Sequence, residues 1–177
     1  MVDRKTLEAI FKKYGFTDFQ WIYPKDIVVS QWVRMKCMFG CPDYGKNATC
    51  PPNVPSVDEC RAFFQEYDAG VIFHIAKQVE KSEDRQAWPK EANEMFYKLE
   101  REVFLSGCFK VFLLNVASCS ICKDCSRSQC LNPTKSRPTA EAFAVDVYTT
   151  VRQHGFPVDV LTEHCQTMNR YAILMVE

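Results

Sequence analysis

The chain has 177 residues, 47% of them apolar and 25% charged, with 22 Lys+Arg against 22 Asp+Glu and no formal net charge. That balance describes one soluble domain over 1–177 with a core of its own, and argues against a general polyanion binder, which advertises itself by a basic excess. No apolar run approaches the roughly 18 residues of a membrane span, and Met1-Val2-Asp3-Arg4-Lys5 opens an amphipathic pattern, so the expectation is no nucleic acid, no membrane and a cytoplasmic location.

In chain order, Asp3 can cap a helix that carries Leu7, Ile10, Phe11 and Tyr14 at helical spacing and stops at Gly15. Phe19–Tyr23 is aromatic and extended, ended by Pro24, and Ile27–Met35 reads as a second extended segment. Residues 37–55, with four prolines and two glycines, are loop. Ser56-Val57-Asp58-Glu59 is a capping box whose helix turns Val57, Cys60, Phe64 and Tyr67 inward before Gly70. Val71–Ala76 reads as a buried strand. Pro89 suits the first turn of a helix running to about Ser106, with Met95, Phe96, Leu99 and Val103 inward and Gly107 closing it. Phe109–Ala117 is another apolar strand, so strand, helix and strand predict a parallel right-handed βαβ unit. Thr139–His154 reads as helix up to Gly155, and Val158–Leu161 with Tyr171–Val176 as a final strand pair. The expected class is α/β: a mixed sheet with helices packed on it, including the βαβ unit, and two cysteine-rich metal-binding loops.

Ten cysteines stand out. They are too few for a disulfide scaffold, where about 8–10% is usual, and a chain this long needs no such staples. Without an export signal they are expected to be reduced, and reduced, clustered cysteines point to metal. Seven fall in two groups: Cys37, Cys41 and Cys50, then Cys119, Cys122, Cys125 and Cys130. The second reads Cys-x2-Cys-x2-Cys-x4-Cys before Asn132-Pro133, close to the bacterial ferredoxin run that binds a 4Fe-4S cluster. A cubane presents several iron corners close together, so one tight loop can reach more than one of them. A single zinc ion prefers two separate Cys-x2-Cys knuckles, and here both steps share Cys122. Iron–sulfur clusters are the expected cofactor, with zinc as the alternative metal. The gap before Cys130 is four residues where ferredoxins have three, which leaves open which cluster Cys130 serves. The first group offers three thiolates, Gly40 and Gly45 for tight turns, and a Pro51-Pro52 lock after Cys50.

Trp32-Val33-Arg34-x-Lys36-Cys37-x3-Cys41-Pro42-x-Tyr44-Gly45-Lys46-x3-Cys50-Pro51-Pro52, with Cys119-x2-Cys122-x2-Cys125 and Arg137-Pro138-Thr139-Ala140-Glu141-Ala142, resembles a family of predicted metal-binding proteins. That family is a domain of unknown function common in anaerobic bacteria and archaea. The resemblance covers nearly the whole chain and implies a small cytoplasmic protein that binds iron–sulfur clusters. It brings no reaction with it. Cys60, Cys108 and Cys165 lie outside its motifs.

Cys60 and Cys108 read as buried thiols, since free cysteine behaves as a small hydrophobe. His164-Cys165 is a weak further ligand pair, His74 reads as a hydrogen-bonded core histidine, and His154 ends a helix. There is no Gly-x-Gly-x-x-Gly and no P-loop. Both cysteine loops are basic: Arg34, Lys36 and Lys46 against Asp43, then Lys123, Arg127, Lys135 and Arg137 against Asp124. Such cations would offset an anionic cluster, or Arg34, Lys36, Lys46 and Arg137 would hold an anionic substrate. Three functions follow. Two clusters would transfer electrons to a redox partner protein. Alternatively, seven clustered thiolates leave one corner of two cubanes over, and an enzyme would use that iron as Lewis acid or redox centre on a small anionic substrate. The third is a structural zinc protein.

Overall fold

Among the residues that the computed structural model describes, 2–78, 84–127, 129–163 and 166–177, the chain forms five helices and four strands. In order they are α1 (Arg4–Lys13), β1 (Phe19–Ile22), α2 (Gln31–Gly40), α3 (Val57–Gln65), β2 (Gly70–Gln78), α4 (Asp84–Leu105), β3 (Phe112–Leu114), α5 (Val147–Gln153) and β4 (Thr167–Met175). The strands make one sheet in the order β1-β2-β4-β3, and every neighbouring pair is antiparallel.

The expected α/β class holds, but the sheet is antiparallel throughout rather than mixed, and the expected parallel βαβ unit is not confirmed. β2 and β3 point the same way, because each runs against β4, but β4 lies between them. The reason is in the last strand. Tyr171 through Val176 are all buried, and a segment buried on both faces belongs in the middle of a sheet. β4 pairs with β2 from Gly70↔Met175 to Gln78↔Thr167, and with β3 only from Phe112↔Met175 to Leu114↔Ile173. Nor does 158–161 supply a strand: Val160 is 73% exposed and the segment has no regular structure.

Alternation along the strands serves two apolar layers. Val71, Phe73, Leu113, Ala172 and Leu174 pack with Leu7 and Phe11 of α1 and with Phe96, Leu99 and Val103 of α4. Ile72, Leu114, Tyr171, Ile173 and Met175 pack on the other side with Cys60 and Phe64 of α3, Phe143, and Val151 of α5. The helical spacings hold where the face is buried; Met95, expected inward, is 37% exposed. Ser56 and Glu59 form the capping box, whereas Asp3 makes no side-chain bond to α1. Pro89 lies inside α4 rather than in its first turn.

Two corrections bear on the site. Ile27–Met35 is not one extended segment: α2 starts at Gln31, because unbranched Gln31, Arg34, Met35 and Lys36 favour helix and only Val33 is buried. Thr139–His154 is not one helix either. A single 3-10 turn, Glu141–Phe143, ends at Ala144 in the left-handed region (φ 58°), and Asp146 then caps α5 by accepting the Thr149 N–H at 3.0 Å.

Candidate metal centre

The second cysteine group occupies a loop whose two ends are tied together. The Asn115 N–H donates to Pro138 O at 2.8 Å, and Asn115 bridges Thr139, so residues 116–137 leave and re-enter the fold at one point. A buried carboxylate secures the base: Glu100 Oε1 accepts the Leu113 N–H at 2.9 Å and Arg137 Nε at 2.8 Å. Within the loop, Cys119, Cys122, Cys125 and Cys130 all line one hollow. Cys130, which could have served either group, stands with the second. Asn132 Nδ2 donates to Cys122 Sγ at 3.1 Å, and the Ala48 N–H donates to Cys125 Sγ at 3.4 Å.

The first group sits where α2 runs out. Cys37 is in the last turn of the helix, and Cys41 follows its end, donating its N–H to Cys37 O at 3.3 Å. The loop beyond is closed by the Gly45 N–H on Pro51 O at 2.8 Å, with Gly45 at φ +72°, where a side chain would be strained. Cys37, Cys41 and Cys50 line a second hollow. The helix is held in place by the Ser30 N–H on Ala144 O (2.8 Å) and by Arg34, whose Nη2 donates to Pro55 O (3.0 Å) and Ala142 O (3.1 Å).

Burial pushes the thiols up: Cys50 to about 11, and Cys37 and Cys119 in the same direction, with neighbouring cysteines adding to the effect. Without metal these are protonated thiols, and loading must displace protons. Among the described residues no three Cys, His, Asp or Glu side chains converge on a point that would grip a single ion; the cysteines line hollows instead.

The four cations expected near the metal fare differently. Arg34 and Arg137 are engaged in framework bonds. Lys46 lies 3.9 Å from Asp43 with both side chains more than half exposed, a contact of little energy. Lys36 is exposed on the rim of a larger cavity. Cys60 and Cys108 are buried at 0% and 2% exposure, and His74 is hydrogen-bonded through Nδ1 to Asp18 (2.6 Å) and Nε2 to Asn169 (2.9 Å). His164 and Cys165 lie outside the described residues.

Sequence reading missed Arg170. It lies in the mixed first part of β4, just before the buried run from Tyr171, and borders the first group's hollow, the larger cavity, and a polar recess that includes Cys119. It therefore stands between the two cysteine groups. The larger cavity, about 780 Å³, is bordered by Cys37 and Cys41 and by the segment from Met168 to Tyr171. The signal available was a charged residue immediately before the apolar run Tyr171–Val176.

Two thiol-lined hollows carried on the loops of a helix-covered antiparallel sheet define a cysteine-rich metal-binding protein. A family profile places it further: the description predicted metal-binding protein (DUF2284) matches residues 20–176, and the chain belongs to that family. No curated protein and no solved structure matches the chain.

Proposed function

We propose that the chain is an iron–sulfur protein holding one 4Fe-4S cluster on Cys119, Cys122, Cys125 and Cys130 and a second on Cys37, Cys41 and Cys50, and that it passes electrons to a partner protein. The carrying observation is the gathering of four thiols from one short loop around one hollow, with amide donors aimed at two of the sulfurs. The donor set fits, since such clusters are held by cysteine thiolates and tuned by hydrogen bonds to sulfur. When bound, a cluster supplies one-electron transfer, and an iron lacking a thiolate adds a Lewis-acid position. The hollows are neighbours: Ala48 and Thr49 line one, and Cys50 the other. Short separation suits a two-centre relay.

The test is anaerobic purification with iron, acid-labile sulfide, zinc and electron paramagnetic resonance measured on one sample. The expected result is roughly eight irons with matching sulfide. One or two zincs without sulfide would overturn the proposal in favour of a structural zinc protein.

One observation favours a second reading, catalysis on a small molecule. The first group offers three thiols for a cubane's four corners, and the 780 Å³ cavity borders that same group. A resonance signal that changes when small ligands are added would support an exchangeable position there; an inert signal would leave electron transfer alone.

A further inference from the structure

The large cavity has a chemistry of its own. Its walls are apolar, from Trp32, Val145, Val147, Val158 and Leu161, and its size suits a small-molecule site. Where it meets the first cysteine group stand two side chains of opposite charge, Arg170 and Glu141, which border both the cavity and the hollow of Cys37, Cys41 and Cys50. Neither side chain makes a hydrogen bond or ion pair among the described residues, and no ion pair joins them to each other. Lys36 and Asp159 also border the cavity, away from the cysteine hollow.

Arg170 is the more telling of the two. Met168 and Ala172, on the same face of β4, are 5% and 0% exposed, whereas Arg170 between them is half-buried and borders the cavity, the cysteine hollow and the polar recess together. A guanidinium has five donors and no acceptor, and those of Arg170 are left open to a ligand. Its planar fork matches a carboxylate. Glu141 nearby would repel a plain carboxylate but would accept a hydrogen bond from a hydroxyl or ammonium group. One kind of ligand answers all three features: a carboxylate for Arg170, a donor on the adjacent carbon for Glu141, and an apolar chain for the walls.

We propose that this cavity binds a small apolar acid with a donor on its α carbon, the chemistry shared by α-hydroxy acids and α-amino acids with branched or aromatic side chains. The site stands on the cavity, Arg170 and Glu141, and needs no metal; it goes beyond the cluster reading and gives the catalytic one a substrate class.

Calorimetric titration of the anaerobically purified full chain tests it, with Trp32 fluorescence as a second readout. The probes are leucine, α-hydroxyisocaproate, its amide, and isocaproate, which lacks the α donor. The expected result is binding of leucine or α-hydroxyisocaproate, the tighter one identifying the source, with the amide and isocaproate each weaker by about tenfold. Arg170→Met should erase the preference for acid over amide, and Lys25→Gln, at an exposed lysine outside the cavity, should leave it. No binding of either acid, equal binding of acid and amide, or a preference that survives Arg170→Met would overturn the proposal. If Arg170→Met does not fold, the acid–amide comparison in the unaltered chain decides. Iron and sulfide assayed on the same sample keep the readings apart: binding without iron overturns the cluster reading alone, and iron without binding overturns this one alone.

Discussion

Glu100 and Arg137 meet at 2.8 Å beneath the second cysteine loop, with the Glu100 side chain 4% exposed. The same carboxylate oxygen takes the Leu113 N–H, so one buried group joins α4, β3 and the returning end of the loop. The base of the loop is thus anchored to the core.

Removing one partner of that pair leaves a buried charge uncompensated. Arg137→Met is expected to destabilise the chain by about 3–5 kcal/mol in urea unfolding. Replacing Glu100 as well, with Met, should recover part of the loss. A double variant as unstable as the sum of the two singles would show that the residues do not act as a pair.

On the proposed assignment the cysteines separate into ligands and core. Cys122→Ser is expected to remove about half the metal of an anaerobic preparation with little change in the circular dichroism of the scaffold. Cys60→Ala should keep all the metal and cost about 1–2 kcal/mol, because its thiol is wholly buried on α3. Metal analysis and urea unfolding of the two variants should give opposite results.

Hydrogen bonds to thiolate sulfur favour the more reduced, more negative state of a cluster. Asn132→Leu removes the Nδ2 donor from Cys122 Sγ. The midpoint potential of the second centre should shift to more negative values, measured by redox titration. An unchanged potential would mean the amide orders the loop without tuning the metal.

The metal-free chain should weaken in alkali. Burial holds Cys50 up to about 11 and Tyr171 up to about 12, against ordinary values of 9.0 and 10.0. Between the ordinary and the raised value, the unfolded chain sheds a proton that the folded chain keeps. That stabilisation is complete below about pH 9 and is lost as pH climbs through the raised values. The urea midpoint should stay level from about pH 7 to about pH 8.5 and then fall. Tyr171→Phe should remove the part of the fall nearest about pH 12. Metal loading runs the other way, improving as pH rises, because the ligands must be thiolates.

How much of this was legible in the sequence follows from what each residue's role depends on. Cysteine spacing is local, so the two groups, the capping box at Ser56 and the helical faces of α1 and α3 could be read directly. The place of β4 could not: its burial pattern demands two neighbours, but only the fold says which strands they are. The short run around Trp32 and Val33 suits helix or strand equally until burial chooses. Arg170 was hidden for a related reason. Its meaning comes from what β4 passes beside, two groups of cysteines distant in sequence.

Ala48 and Cys50 are two residues apart and serve different cysteine groups, one through an amide on Cys125 and the other through its own sulfur. One short stretch of backbone thus belongs to both hollows. A substitution that shifts it, unlike the loss of a single side chain such as Cys122, reaches both groups at once.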